Sequence, residues 1–169
     1  IYNSNRYALC ALLESLGCEV RDLGAVPDDF EATRDALRRA AADNDLVVTS
    51  GGVSAGAYEP VRLLGGDLEF CAVAMQPGKP QGLGRFNGVP LLAFPGNPVS
   101  AFVSFQVFAL PLLDAMAGLR RRSRTRVARA GVGWAPPPGR RQYLPVTLQE
   151  TADGTVARPS HRRGSGSHL

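Results

Sequence analysis

Of the 19 basic residues in this chain, 18 are arginine and one is lysine, Lys79. It lies in Met75-Gln76-Pro77-Gly78-Lys79-Pro80, where two prolines flank a Gly-Lys pair and hold the ammonium out of a rigid turn. A lysine on a surface turn is ordinarily just solvated. In a chain that uses arginine everywhere else, a compact point charge points instead to a small oxyanion. Two further loops offer anion chemistry. Thr49-Ser50-Gly51-Gly52-Val53-Ser54-Ala55-Gly56 combines paired glycines with three hydroxyls. It reads equally well as a cradle of N–H groups for phosphate or as a glycine-rich strand-to-helix turn. It is neither a Walker loop nor a dinucleotide fingerprint. In Phe94-Pro95-Gly96-Asn97-Pro98-Val99-Ser100, Asn97 suits an N-cap, Pro98 the first helical position and Ser100 the first turn. The helix start offers unpaired N–H groups and a positive dipole end, and Pro95-Gly96 bring the backbone in close. Together the three loops form a pocket for one multiply charged anion.

Other chemistries are excluded or left open. The two histidines, His161 and His168, lie in the basic tail, away from any serine and aspartate in the helical part, which excludes a Ser-His-Asp hydrolase there. No His/Cys cluster has zinc spacing. Asp28, Asp29 and Glu59 could hold Mg²⁺ through water and phosphate oxygens, or could cap helices and face solvent.

The elements that must carry these loops alternate helix and strand. Residues 6–16 show helical spacing, with Ser4 or Asn5 as N-cap and Gly17 as the stop. Cys18–Val20 is a predicted short strand, and 30–42 a second helix capped by Asp28 or Asp29. Leu46–Thr49 reads as a strand buried on both faces, followed by strands at Leu68–Met75 and Val89–Phe94. Pro98–Met116 is a long apolar helix. This order predicts an α/β fold with a mostly parallel sheet flanked by helices, and ligands at the carboxyl ends of its strands. From about Ser123 short strands follow one another at Arg126–Val132, Gln142–Leu148 and Thr155–Arg158, the start of a partial all-β domain. The expected division is therefore 1–122 and 123–169.

The 169 residues are 44% apolar and 20% charged, a globular composition of about one domain plus an appendage. Three unpaired-looking cysteines, Cys10, Cys18 and Cys71, suit a reducing, cytoplasmic setting. No apolar run is expected to approach the roughly 18 residues of a membrane helix, so no membrane partner is expected. The formal charge of +4 averages two unlike segments. Residues 1–118 carry 8 basic and 13 acidic side chains, and residues 119–169 carry 11 basic and 2 acidic. The basic excess is confined to one stretch with few aromatics, so no nucleic-acid partner is expected. The chain opens on Ile1 without an initiator methionine and stops after Gly164-Ser165-Gly166-Ser167-His168, which reads as a piece of a longer protein.

The ordered set Ile1-Tyr2-Asn3-Ser4-Asn5, Val26-Pro27-Asp28-Asp29, Thr49–Gly56, Pro77–Pro80 and Pro95–Ser100 closely resembles the molybdopterin molybdenumtransferases. The gephyrin E domain and the plant molybdenum-insertion domain share the pattern. Pro138-Gly139-Arg140-Arg141-Gln142-Tyr143 and Gly164–Leu169 resemble the family's C-terminal β-domain. The resemblance implies a molybdopterin-binding fold lacking its first strand, with two N-terminal domains outside this chain. It implies a cytoplasmic enzyme that takes adenylylated molybdopterin and molybdate, uses Mg²⁺, leaves molybdenum on the dithiolene and releases AMP. It further implies a homodimer in the full-length protein and hand-over of substrate from a molybdopterin adenylyltransferase. Carried over, Asn5, Thr49, Ser50, Gly51, Gly52, Ser54, Gly56, Asp28 and Glu59 would face the organic ligand and metal. Lys79, Pro80, Ser100 and an arginine of the Arg140-Arg141 pair would face molybdate, and Pro77, Gly78, Pro95, Gly96, Asn97 and Pro98 would also bind substrate. Lys79, Ser100 and Glu59 would be catalytic. Three features depart from the pattern: Ala57 where an acid is common, Gln76 where a lysine is common, and a short Pro60–Gly66. A non-catalytic molybdopterin-binding or scaffold module is the alternative. An adenylyltransferase or competence-damage relative is disfavoured by the attached β-module.

Overall fold

The computed structural model describes residues 3–53, 60–64, 67–120 and 125–160. A four-stranded sheet organises the first two thirds of the chain. Its strands are β1 (Val47–Ser50), β2 (Asp67–Ala72), β4 (Pro80–Phe86) and β5 (Val89–Phe94), in the spatial order β1-β5-β4-β2. The two-residue β3 (Met75–Gln76) stands outside this sheet. Only the β1–β5 pairing is parallel, while β5–β4 and β4–β2 are antiparallel. The expectation of a mostly parallel sheet is therefore corrected: the sheet is mixed. The cause is β4, a strand that helix-strand alternation does not reveal. It joins β5 through Asn87-Gly88, both at positive φ, with Phe86 opposite Val89. This is the two-residue turn that matches the twist of a hairpin.

The strand β5 is buried on both faces, and its alternation divides the core. Leu91 and Ala93 pack with Leu37, Ala40 and Ala41 of α2 (Phe30–Ala42), together with Val61 of the short α3 (Pro60–Leu63). Leu92 and Phe94 face Leu9 of α1 (Ser4–Ser15), with Phe105 and Ala109 of the long C-terminal helix. Asn3, rather than Ser4 or Asn5, caps α1 by accepting from Arg6 N–H, and Asp29 caps α2 by accepting from Ala32 N–H. That long helix runs as α4 (Pro98–Ser104), a π turn at Phe105–Ala109, and α5 (Leu110–Met116). Pro111 lacks an N–H, and its ring would clash with the carbonyl four residues back. The widened turn absorbs this, with Leu110 N–H donating to Phe105 O. Over its 19 residues, at a mean hydropathy of 1.6, Pro98–Met116 meets the length and apolarity of a membrane-crossing helix. The sequence expectation that no such run exists is corrected on that measure. Here its Ala101, Phe105 and Ala109 face covers the sheet.

Two other expectations fail locally. Cys18–Val20 forms no strand, and β1 is only partly buried beyond Val47. Both border an open groove, where Cys18–Val20 has no strand to pair with and β1, paired with β5 on one side, has none on its outer edge among the described residues. After α5, a separate sheet joins β6 (Arg129–Ala130), β8 (Val146–Thr151) and β9 (Gly154–Pro159) in the order β6-β9-β8. Its apolar side chains are largely exposed, Val146 and Leu148 among them, and Val156 alone of its described residues is buried. A ladder ties this region to the first: β3 runs parallel to β7 (Arg141–Gln142), with Met75 opposite Arg141.

Glycines in β4 are dictated by their neighbours. A Cβ on Gly82 would lie 2.7 Å from the Phe70 ring, and one on Gly84 would lie 2.0 Å from Asp67 O. Gly84→Ala is therefore expected to lower unfolding stability by at least about 2 kcal/mol. Gly133→Ala, with nothing within 4 Å of the added carbon, is expected to change it by less than about 0.5 kcal/mol. Thermal unfolding of the two variants side by side checks this, and equal midpoints would refute it.

Candidate functional site

Two loops meet at the carboxyl ends of β1 and β5, and one side chain joins them. Asn5, in the first turn of α1 and 6% exposed, donates from Nδ2 to Ser50 Oγ at 3.1 Å and to Gly96 O at 2.8 Å. Gly51 N–H completes the join by donating to Phe94 O at 2.9 Å. The approach is close: a Cβ on Gly96 would stand 3.6 Å from Gly51 Cα. Gly51 and Gly52 follow one another at φ +92° and +71°, a left-handed pair that side chains other than glycine resist. Several residues expected to face a ligand are thus partly engaged with each other. The Asn5 amide and the Gly51 N–H hold the loops together. Thr49 Oγ1 is buried without a hydrogen-bond partner.

The start of α4 is built as the sequence implies. Asn97 Oδ1 accepts from Ser100 N–H at 3.1 Å and from Ser100 Oγ at 3.3 Å, with Pro98 in the first turn. Ser100 is 8% exposed, so its hydroxyl serves the cap and sits beneath the surface. Because α1 begins beside the same loops, two helix N-termini open at one end of the sheet. Their unpaired N–H groups and positive dipole ends favour an anion.

The Lys79 turn forms a second cluster. Pro77, after a cis peptide bond from Gln76, and Gly78 are buried, whereas Lys79 is exposed and has no carboxylate partner among the described residues. Its own carbonyl accepts from Val73 N–H at 2.7 Å, and Pro80 opens β4. The β3–β7 ladder brings Arg140 and Arg141, both exposed, to the base of this turn. Arg141 N–H donates to Ala74 O at 2.9 Å and Tyr143 N–H to Gln76 O at 2.8 Å. Sequence reasoning missed two residues of this cluster, Gln81 and Ser104. Gln81 Nε2 donates to Gly78 O at 2.8 Å and to Ser104 Oγ at 2.6 Å. The signal was a glutamine beside a proline in a run otherwise of glycine and apolar residues.

Ser54, Gly56, Ala57 and Glu59 lie outside the described residues. Asp28 is exposed in the turn before α2, and among the described residues no group of three His, Cys, Asp or Glu gathers to hold a metal.

A cavity also opens beside the joined loops, with Thr49, Ser50, Gly51 and Gly52 in its lining. This groove of about 1020 Å³ runs between the extended segment 18–28, helices α1 and α2, and the outer edge of β1. Leu9, Leu13, Leu37 and Val47 line it, and Arg6 pins its outer wall by an ion pair to Asp22 at 2.5 Å. That hydrogen bond, with a second from Gly24 N–H, holds the Asp22 carboxyl below its usual range. In the groove, burial first and then the charges of Asp22 and Glu14 push the Cys10 thiol up. The groove's lining mixes apolar side chains with Asp28, Thr49 and Ser50, and the outer edge of β1 along it has no strand partner among the described residues.

The Asn5 clasp has a direct test. Asn5→Asp keeps the shape but removes the donor, setting a carboxylate against Gly96 O. It is expected to cost about 1–3 kcal/mol of stability and to speed amide exchange at Gly51. Unchanged unfolding and exchange would show that the loops hold each other without it.

Comparison with known proteins gives the family and the fold of the chain. Residues 1–115 match the family described as "Probable molybdopterin binding domain". Molybdopterin molybdenumtransferase 2 of Mycobacterium tuberculosis is 45% identical over 168 residues, which cover 92% of this chain and 41% of that protein. Molybdopterin molybdenumtransferase of Haemophilus influenzae is 39% identical over 124 residues, 72% of this chain and 31% of the relative. The chain therefore spans less than half the length of these relatives. A molybdopterin biosynthesis MoeA protein from Pyrococcus horikoshii superposes with a TM-score of 0.76 at 33% identity, over 99% of this chain and 40% of that one. CinA from Thermoplasma acidophilum, at 21% identity and a TM-score of 0.55, covers 66% of this chain and shares the fold alone.

Proposed function

The chain belongs to the molybdopterin-binding domain family, and from that premise we propose that the full-length protein inserts molybdenum from molybdate into adenylylated molybdopterin, with release of AMP. The observation that carries this reading is Lys79, an exposed ammonium on a turn whose Gln76, Gly78 and Lys79 carbonyls are hydrogen-bonded, with no carboxylate partner among the described residues. A tetrahedral oxyanion suits such a charge, with the Arg140-Arg141 pair at the base of the same turn as a second cationic source. The organic ligand belongs at the joined loops, where Ser50–Gly52 and Gly96 lie under two helix N-termini that stabilise phosphate charge. Gln76 leaves this end with one ammonium where relatives of the pattern commonly have two. Magnesium is part of the expected chemistry, but the described acids do not gather into a site for it, so no step is derived through the ion. A homodimer of the full-length protein and hand-over from an adenylyltransferase belong to the same proposal.

The groove beside β1 fits this picture of a longer protein. The outer edge of β1 and the extended segment 18–28 face each other across apolar walls, and neither has a strand partner among the described residues. We propose that an extended segment from elsewhere in the full-length chain fills it as a strand, which would make both flanking segments regular.

Reconstitution of the full-length protein with adenylylated molybdopterin, Mg²⁺ and molybdate is expected to release AMP in a molybdate-dependent way. Lys79→Ala is expected to raise the half-saturating molybdate concentration at least about tenfold, with a smaller effect on the organic ligand. Absence of molybdate-dependent AMP would leave a non-catalytic molybdopterin-binding module as the reading. Equal losses for both ligands would assign Lys79 to phosphate.

A further inference from the structure

Lys79 and Ser100 lie on different elements, one on the turn before β4 and one in the first turn of α4. A single buried amide connects the two. Gln81, 1% exposed, donates from Nε2 both to Gly78 O and to Ser104 Oγ, which is 0% exposed. Ser104 follows Ser100 by four residues, so both hydroxyls project from one face of α4. The packing around Gly78 leaves room for hydrogen alone. A Cβ there would lie 2.9 Å from Met75 Cε, 3.3 Å from Gln81 Nε2 and 3.3 Å from Ser104 Oγ. Gly78 adopts φ +96°, which aims its carbonyl inward at the amide and carries the chain outward at Lys79.

The arrangement carries a stability penalty. Gln81 Oε1 is buried without a hydrogen-bond partner, an unfavourable state that an apolar side chain of the same length would avoid. Methionine would spare that atom but leave Gly78 O and Ser104 Oγ without the amide donor. What the amide adds is a fixed link from the lysine turn to the helix that starts at Ser100.

We propose that Gln81 is a positioning residue. Through Gly78 O and Ser104 Oγ it sets the Lys79 turn against α4, and so fixes the separation between the ammonium and the helix N-terminus that an oxyanion spans. This rests on reading Lys79 as an oxyanion ligand.

The test uses the full-length protein with Gln81→Met, Ser104→Ala, Lys79→Ala and the Gln81→Met/Lys79→Ala pair. Gln81→Met is expected to raise half-saturating molybdate about tenfold, the equivalent of one good hydrogen bond, with the organic substrate changed less than about twofold. On the Lys79→Ala background the same substitution is expected to add less than about twofold, because its effect runs through the lysine. Amide exchange is expected to quicken at Gly78 and Lys79 while β5 keeps its protection. Parallel losses for both substrates, full additivity of the two substitutions, or unchanged exchange in the turn would each overturn the proposal. If Gln81→Met does not fold, Ser104→Ala carries the test, with about a threefold rise expected and no rise overturning it. Should the wild-type protein release no molybdate-dependent AMP, the functional reading fails by itself, and the exchange measurement alone then decides whether Gln81 holds the turn.

Discussion

The structure depends on one strand that water does not reach. From Leu91 to Phe94 every side chain of β5 is at most 5% exposed, with alternate residues packed into two different cores. A strand in this position cannot slip by one residue without exchanging its two faces, so its register is fixed. Everything at the candidate site is then placed relative to its carboxyl end. β1 pairs with it in parallel and delivers Ser50 and Gly51 opposite Phe94. β4 pairs on its other side and delivers the Lys79 turn. The helix that follows β5 begins three residues later with the Asn97 cap. Three loops distant in sequence converge because they are neighbours of one buried strand.

The sequence reveals the elements whose signal is local. The β5 bounds, the α2 cap at Asp29 and the Asn97-Pro98 helix start all follow from short patterns of residue type. What it hides depends on partners. β4 gives no strand signal because Gly82 and Gly84 break its apolar alternation, yet both glycines are required by Phe70 and Asp67 across the pairing. The clue that could have exposed it was Asn87-Gly88, a strong short-range hairpin signal, followed directly by a confident strand. Cys18–Val20 errs in the opposite direction. Its residues suit a strand, but a strand needs a ladder, and the groove between this segment and β1 supplies none.

At the site, residue types were easier to read than residue duties. Asn5 and Ser100 lie in the first turns of their helices, and Gly51 directly follows β1. The polar atoms described, however, hold the scaffold: an amide across two loops, an N–H between strands, a hydroxyl within a cap. This follows from the burial rule, since polar groups this deep must pair with protein when ligand is not their partner. Gln81 is the counterpart, a residue without a motif whose duty appears only when Gly78 and Ser104 are brought to either side of it.

The uneven charge gains a physical meaning from the β3–β7 ladder. The acidic first part and the basic last part are joined there by backbone hydrogen bonds from Arg141 to Ala74 and from Tyr143 to Gln76. That ladder brings Arg140 and Arg141 to the base of the turn that carries the only lysine in the sequence. Arginine at the Lys79 position would present a wide planar fork, suited to bidentate contact with a carboxylate or phosphate edge. Lysine presents one rotatable ammonium that can follow a small ion more closely. A rigid turn needs the second kind of cation, because the backbone cannot shift to seat a fork. The same rigidity makes the turn sensitive to its supports, Gly78 with no room for a side chain and Gln81 with its amide on the Gly78 carbonyl.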